Sequence, residues 1–374
     1  MKITISAPSG LEGVVKKELY NLTKIEANSY NGKLTFDGDI YLVAKLNLYM
    51  RTASRVYINL GGFKADNFDE LFDNVLNIDF ENYLDKDSKI TVNASIFESK
   101  LNSLQAVSSV CKKAIFSRLK NAYGTQNNES GFNHKIEISI RRDYVTLYLN
   151  TSGESLHKRG YRKAYGEAPI KETVASSLLN LSYFKNGKSL LDPFCGRGTI
   201  AIEAGMALKN IPAGILRDFD FLHFDKFNTA FFKDMLSEAK KNIINDVGVK
   251  IYASDIDEKQ VEIAKSNARR AGVLDVIDFK VKDATTYDNF NNIDVIVTNP
   301  PYGERLLKRS EIVSLYREFG KTVKRYNGSL FIITPVTDLE RLISKKADKK
   351  RKIYNGKLEC AYYSFFSKRS EKSR

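Results

Sequence analysis

The 374-residue sequence predicts an α/β protein, with a mostly parallel, doubly wound sheet in its C-terminal half and an α+β region before it. Three observations predict this fold class. Strands and helices alternate regularly from about residue 170, as in a βαβ series. The first 150 residues or so mix short strands and helices without that alternation. Close to the end, Asn355-Gly356 separates two strand-like runs and predicts a C-terminal hairpin.

In the α+β region, β-prone runs predict strands, and apolar residues spaced three and four apart predict helices. The predicted strands are KITISAP, GKLTFDG, RVYINLGGFKA, KITVNASI, KIEISIRR and VTLYLNTS. The predicted helices are GLEGVVKKELYNL, DIYLVAKLNLYM, the segment around Phe68–Leu76, and Leu104–Tyr123. No catalytic cluster stands out here, so the pattern favours a binding module.

The α/β half is predicted to begin with a helix at about Ile170–Leu181, after a basic, glycine-containing connector. Its predicted strands are SLLDPF, KIYASDID, VIDFKVKDA, IDVIVTN and SLFIIT. Its other predicted helices are Gly198–Lys209, Asp257–Ala271 and Ile312–Tyr326. In such a sheet, ligands bind at the carboxyl ends of the strands, so the residues just after each strand are the candidates for function.

Composition narrows the class of protein. A hydrophobic content of 43% indicates a globular chain, and no apolar run approaches the roughly 20 residues that span a bilayer. The N-terminus lacks a signal-peptide pattern, and three scattered cysteines without a CxxC predict neither a disulfide framework nor a metal site; both features suit the cytoplasm. A net charge of +14 favours a polyanionic partner such as nucleic acid over a merely solvated basic surface.

The segment LLDPFCGRGTIAIEA (190–204) predicts a buried strand, a glycine-containing loop and a helix. Gly196 and Gly198 allow a ligand to approach the backbone closely. The loop lacks both the P-loop ending and GxGxxG, and Asp192 places a carboxylate where a phosphate-binding loop would avoid one. A ligand with an amino group or a sulfonium charge suits that carboxylate. The alternative is an ordinary strand-to-helix turn.

Acidic residues follow the next two strands of the α/β half. Asp255, or less favourably Asp257, could accept both hydrogens of a ribose diol. Asp283 could accept from an adenine amino group, with Ala284 supplying a backbone N–H. Each acid alone could simply cap a helix or solvate a turn. Together, at successive strand ends, they predict a pocket for an adenosine-bearing ligand.

The fourth strand ends in VIVTNPPYGER (295–305), where two prolines stop the sheet ladder. An exocyclic amine of a base is a poor nucleophile, because its lone pair is delocalised into the ring. The side-chain oxygen of Asn299 and the carbonyl of Pro300 could accept its hydrogens, Pro301 would help to fix that carbonyl, and Tyr302 could stack on the base. This arrangement predicts methyl transfer by positioning, without a nucleophilic side chain.

Two basic segments complete the picture. HKRGYRKAYG (157–166) mixes cations with Tyr161 and Tyr165, a combination that could hold phosphates and stack on bases. KKADKKRK (345–352) predicts a solvated loop or helix face that attracts RNA at long range.

The segment DPFCGRGT followed by NPPYGER resembles the S-adenosylmethionine-dependent amino-methyltransferases, in the order of the adenine-N6 and guanine-N2 branch. LHKRGYR (156–162) and APIKETVASSLL (168–179) resemble the connector and first helix of THUMP-domain RNA methyltransferases. LNLYMRTASRVYINLG and LNSLQAVSSVCKKAI extend the likeness over nearly the whole chain. Among these families, the bacterial 23S rRNA guanine-N2 methyltransferases are the most similar.

The resemblance implies a ferredoxin-like segment over residues 1–60, a THUMP RNA-binding domain over 61–155, a connector over 156–169 and a Rossmann-like methyltransferase domain over 170–374. It implies S-adenosylmethionine as cofactor and RNA as partner. With the reasoning above, it gives these cofactor-binding candidates: Asp192, Phe194, Cys195, Gly196, Gly198, Thr199, Asp255, Ile256, Asp283, Ala284 and Asn299. The catalytic candidates are Asn299, Pro300, Pro301 and Tyr302, and the RNA-binding candidates are Lys158, Arg159, Tyr161 and Arg162.

The sequence departs from the family pattern in the cofactor loop, where Arg197 replaces the usual serine. The chain also has no room for the second, C-terminal methyltransferase of some larger relatives. Three alternatives to 23S rRNA guanine-N2 methylation stay open: tRNA guanine-N2 methylation, DNA adenine-N6 methylation, and RNA binding by a degenerate, inactive fold. An intact NPPY and cofactor loop argue against the last.

Overall fold

The computed structural model of the protein describes residues 1–162, 170–185, 187–303, 309–356 and 358–367. Over these residues the chain forms two seven-stranded sheets. The first sheet belongs to the N-terminal region and the second to the C-terminal half, so the predicted division into an α+β region and an α/β region is confirmed.

The N-terminal sheet has the strand order β2-β3-β1-β4-β7-β6-β5. Its strands are β1 (Lys2–Ser6), β2 (Ser29–Tyr30), β3 (Lys33–Asp37), β4 (Arg55–Lys64), β5 (Lys89–Phe97), β6 (Asn133–Arg141) and β7 (Tyr144–Asn150). Its helices are α1 (Glu12–Thr23), α2 (Ile40–Tyr49), α3 (Phe68–Leu76) and α4 (Leu104–Tyr123).

Strand β4 joins the two predicted N-terminal units into one sheet. It pairs with β1 on one side and with β7 on the other, both antiparallel. One sheet face is apolar because buried and less buried side chains alternate, as in β6, where Ile136, Ile138 and Ile140 are buried. The ferredoxin-like and THUMP segments therefore share a continuous sheet and a common core.

The C-terminal sheet has the order β10-β9-β8-β11-β12-β14-β13. Its strands are β8 (Leu190–Asp192), β9 (Ile251–Asp255), β10 (Ile277–Val281), β11 (Val295–Thr298), β12 (Ser329–Thr334), β13 (Lys349–Asn355) and β14 (Leu358–Phe365). Its helices are α5 (Glu172–Leu181), α6 (Thr199–Leu208), α7 (Phe231–Lys241), α8 (Glu258–Ala271), α9 (Arg309–Val323) and α10 (Leu339–Leu342).

The strands β8 to β12 of this sheet are parallel, and the antiparallel hairpin β13–β14 is added beside β12. The strand order reverses between β8 and β11, which is the position where doubly wound sheets bind ligands. The predicted Rossmann-like domain with a C-terminal hairpin is confirmed.

Two predictions about local structure were incomplete or wrong. The basic segment 345–352 is a loop only over residues 345–348, because Lys349–Lys352 lie in edge strand β13, where lysines are common since they discourage further strand pairing. The short elements β2 and α10 and the longer helix α7 were not predicted. Helix α7 packs Phe232 and Met235 into the N-terminal core, together with the nearby Phe219, Phe221 and Phe224. Within the ranges described, no helix is long and apolar enough to cross a membrane.

Candidate active site

The carboxyl ends of β8, β9, β10 and β11 lie at one edge of the C-terminal sheet, because these strands are parallel neighbours. The segment after each strand carries one group of the predicted site residues. The structure therefore brings together the loop between β8 and α6 (residues 193–198, called the glycine loop below), the acids after β9 and β10, and the NPPY segment after β11.

Two backbone N–H groups of the glycine loop donate hydrogen bonds to the end of β9. Cys195 N donates to the carbonyl of Ser254 at 2.8 Å, and Gly196 N donates to the carboxylate of Asp255 at 2.8 Å. Gly196 has φ 49° and open space beside its Cα, so the backbone there is accessible to a ligand. Asp255, the preferred candidate for the ribose contact, thus also fixes the conformation of the loop.

Gly198 is required by its backbone and by its surroundings. It has φ 83° and precedes the first residue of α6, and a Cβ on it would lie 3.0 Å from the Cβ of Ala264 on α8. The absent side chain lets α6 begin close against α8. Phe194 is half-buried and packs edge-on against Phe319, while Cys195 and Thr199 are buried.

Asp192, the last residue of β8, is 1% exposed. It accepts hydrogen bonds from Thr298 Oγ1 at 2.7 Å and from Phe194 N at 3.3 Å. Burial raises the pKa of this carboxyl to about 7, although the Thr298 hydroxyl and the Phe194 N–H oppose the shift. A cationic ligand is the natural partner for such a group, since it would favour the charged form.

The acids after β9 and β10 occupy different structural positions. Asp255 is half-buried, accepts from Asp257 N at 3.0 Å, and has a pKa raised by burial. Asp257 caps α8 through Lys259 N. Asp283 caps a short 3-10 helix at Ala284–Thr286, accepting from both the N–H and the hydroxyl of Thr285 at 2.8 Å. Asp257 and Asp283 thus both cap helices, a role that does not exclude contact with a ligand.

An exposed isoleucine separates the two acids after β9. Ile256 is 70% exposed, which is unusual for so large an apolar side chain. Its position between Asp255 and Asp257 would present an apolar face beside a hydrogen-bond acceptor, the combination that an adenosine group requires. With buried Ala284 and the open backbone of Gly196, the residues present fit an adenosine-bearing, cationic cofactor.

The NPPY segment follows β11 directly. Pro300 is buried, whereas Asn299, Pro301 and Tyr302 are half-buried. The hydroxyl of Tyr302 accepts from Asn355 Nδ2 at 3.4 Å, at the tip of the β13–β14 hairpin, and burial raises the pKa of Tyr302. The hairpin thus contributes to the wall of the site. The Glu304 and Arg305 of the quoted sequence lie outside the described residues.

The expectation that Arg159 and Tyr161 bind RNA is wrong. Arg159 is 2% exposed and Tyr161 is fully buried, because both side chains point into the protein and hydrogen-bond to Glu203 on α6. Arg162 also faces inward and forms an ion pair with Glu172 at 3.1 Å. Lys158 is exposed beside Glu154 and remains a candidate, while Tyr165 lies outside the described residues.

Glu203 itself was missed by the sequence reasoning. It accepts from Arg159, from Tyr161 Oη at 3.1 Å and from Ser176 Oγ at 2.6 Å. One feature of the sequence could have identified Glu203 as a buried, paired acid. A single acid in the apolar helix sequence TIAIEAGMAL must be paired if it is buried. The position of its partners in the connector was not readable from the sequence, because 42 or more residues separate them from Glu203.

Comparison with known proteins gives three family matches along the chain. A family described as RMKL-like, methyltransferase domain, matches residues 159–364. The RlmL ferredoxin-like domain matches residues 2–57, and the THUMP domain matches residues 65–150.

Individual relatives agree with these matches. The chain is 39% identical to a putative RNA methyltransferase, YpsC, of Bacillus subtilis, over 97% of this chain and 95% of that one. It is 34% identical to the ribosomal RNA large subunit methyltransferase K/L of Shewanella baltica, but spans only 52% of that longer protein. A solved structure, described as a putative methyltransferase complexed with SAH, superposes with a TM-score of 0.93 at 39% identity, covering 98% of each chain.

Proposed function

This chain belongs to the RMKL-like methyltransferase family, and we propose that it transfers a methyl group from S-adenosylmethionine to the exocyclic N2 of a guanine in RNA. The preferred substrate is 23S rRNA in the cytoplasm. Among the relatives, the protein of Shewanella baltica is named for the large-subunit ribosomal RNA.

One observation carries the proposal. The NPPY segment after β11 and the glycine loop after β8 lie at neighbouring strand ends, and the Thr298–Asp192 hydrogen bond of 2.7 Å joins the two strands directly. A base amine held by the first would therefore lie beside a ligand held by the second. This juxtaposition is what a direct transfer needs, because its rate depends mainly on the alignment of donor and acceptor.

In the proposed reaction, one group of residues binds the cofactor and another positions the guanine amine. Asp255, Ile256 and Asp283 would bind the adenosine group, and the ionised Asp192 would favour the positive end of the cofactor. When bound, S-adenosylmethionine supplies an electrophilic methyl group. The oxygens of Asn299 and Pro300 would accept hydrogen bonds from the two N–H groups of the guanine amine, freeing its lone pair to attack the methyl carbon. The methyl–sulfur bond would break, S-adenosylhomocysteine would leave, and the amine would lose one proton to water. No described side chain needs to form a covalent bond.

The N-terminal sheet supports RNA as the substrate class. The THUMP match lies entirely within this sheet and its helices, and the whole chain carries a net charge of +14. Lys158, exposed where the connector leaves that sheet, is the remaining connector candidate for a phosphate contact. The NPPY geometry accommodates any exocyclic base amine, so the target must be identified by experiment.

The test uses purified protein and labelled S-adenosylmethionine with deproteinised ribosomal RNA, tRNA and duplex DNA, all lacking the modification. Each nucleic acid is digested and the labelled nucleoside is identified. We expect N2-methylguanosine from 23S rRNA. N2-methylguanosine from tRNA alone would support the proposed reaction but show that tRNA, not 23S rRNA, is the substrate. N6-methyladenine from DNA would overturn the assignment to RNA. Absence of label in all three would contradict the proposal.

We expect cofactor binding to tighten as the pH rises from about 6 to 8. Asp192 has a pKa of about 7, so it is mostly protonated at the lower pH and mostly charged at the higher one. If only the charged form binds well, the affinity should increase about tenfold over this interval. Calorimetric titration with S-adenosylhomocysteine, which retains the cationic amino group, measures the effect.

Thr298→Val provides the control for this pH dependence. The variant keeps the shape but removes a hydroxyl that holds the pKa of Asp192 down, so its affinity profile should move to higher pH. An affinity that does not change between pH 6 and 8 in the wild type would show that Asp192 is not the titrating group.

A further inference from the structure

Helix α6, which begins at the glycine loop, is held along its length by residues from outside the methyltransferase sheet. At its C-terminal end, Arg51 Nη2 donates to the carbonyls of Met206 and Ile211. In the middle of the helix, Glu203 accepts hydrogen bonds from Arg159 and Tyr161 of the connector. A cation at the carboxyl end of a helix also interacts favourably with its dipole. The N-terminal region thus fixes the helix that carries the glycine loop.

The contact at the start of α6 involves Arg162. Its Nη2 donates to the hydroxyl of Thr199, the first residue of the helix, and to the carbonyl of Ile170 at 3.3 Å. Its Nε forms the ion pair with Glu172 at 3.1 Å. Thr199 and Glu172 are 2% and 3% exposed. One planar guanidinium therefore joins the connector, the start of α5 and the start of α6, which a lysine could not do with the same geometry.

The partner helix of the site is held by the same connector. Arg270 Nε on α8 donates to the carbonyl of Tyr161, the residue before Arg162, at 2.6 Å. Asn267 on α8 donates to the carbonyl of Arg197 in the glycine loop at 3.1 Å. The connector and α8 therefore brace the glycine loop from two sides.

We propose that Arg162 is a positioning residue that holds the glycine loop in its cofactor-binding conformation through Thr199. This inference rests on the proposed function in one respect, that the loop binds the cofactor. It replaces the sequence-based assignment of Arg162 to RNA. A residue in this role should control cofactor affinity and leave RNA affinity unchanged.

The test is a double-mutant cycle on the full chain, read by calorimetric titration with S-adenosylhomocysteine without RNA. We expect Arg162→Ala and Thr199→Val each to weaken binding about tenfold, and the double variant to be no weaker than either. Thr199→Ser, which keeps the hydroxyl, should bind within about twofold of the wild type. RNA affinity, measured by filter binding, should stay unchanged in all of them.

Arg269→Ala is the matched control, since Arg269 is an exposed arginine on α8 next to Arg270. Its cofactor affinity should equal that of the wild type. Additive losses in the cycle, or wild-type affinity in Arg162→Ala, would overturn the inference. If Arg162→Ala does not fold, Arg162→Lys replaces it in the cycle, because lysine keeps the positive charge but cannot make the same contacts with Thr199 and Ile170. Failure of the wild type to bind S-adenosylhomocysteine would instead contradict the proposed function.

Discussion

Asn299→Ala should lower the rate of methyl transfer by roughly 10²–10³-fold while the protein still folds and binds RNA. The side chain follows buried strand β11 and is half-buried, so its removal creates no large core cavity. What it removes is the oxygen that we propose accepts from the base amine, and stabilisation of that kind acts in the transition state. Single-turnover kinetics at saturating S-adenosylmethionine, with RNA affinity measured in parallel, separate the chemical step from binding.

Asn291→Ala is the control for this variant, since Asn291 is an exposed asparagine in the loop before β11. Its rate should match the wild type. A normal rate in Asn299→Ala would refute the assigned role of the amide oxygen. A loss of RNA affinity in Asn299→Ala as large as its loss of rate would show that the residue acts in binding rather than in the transfer step.

The sequence allowed the candidate residues to be placed at one edge of the sheet because they lie at the ends of parallel strands. Once β8, β9, β10 and β11 were recognised, the loops after them had to meet at one edge, whatever the details of packing. Helix Leu104–Tyr123 was predicted with its observed bounds, and a helix was predicted around Phe68–Leu76. Both begin after a capping side chain, since Asn67 and Ser103 accept from the N–H groups of Glu70 and Ala106.

The connector was misread for a physical reason. A run of arginines and tyrosines has the same composition whether it faces RNA or a buried acid, and only the fold places Glu203 and Glu172 opposite Arg159 and Arg162. Helix α7 was missed for a related reason. Its apolar face packs on the N-terminal core, outside the βαβ alternation that guided the prediction. Contacts between distant segments decide both cases.

Glu203→Ala should lower the stability of the fold more than any other single change considered, by about 3–5 kcal/mol. The side chains of Glu203 and Arg159 are 0% and 1% exposed, so the variant would leave a guanidinium buried without its counter-charge. Tyr161 and Ser176 would lose their acceptor as well. We expect the apparent melting temperature to fall on the order of 10 °C, as measured by differential scanning calorimetry.

Two comparisons separate this buried pair from ordinary surface charge. Glu262→Ala removes an exposed acid of α8 that pairs with Lys265, and should cost less than about 1 kcal/mol. The double variant Glu203→Ala with Arg159→Met removes both charges, so it should be more stable than Glu203→Ala alone, because no uncompensated ion stays buried. If the single and double variants melt together, the cost comes from the lost hydrogen bonds of Tyr161 and Ser176 instead. The pair would then not be what fixes the connector to α6, and the bracing of the glycine loop would depend on Arg162 and Arg51.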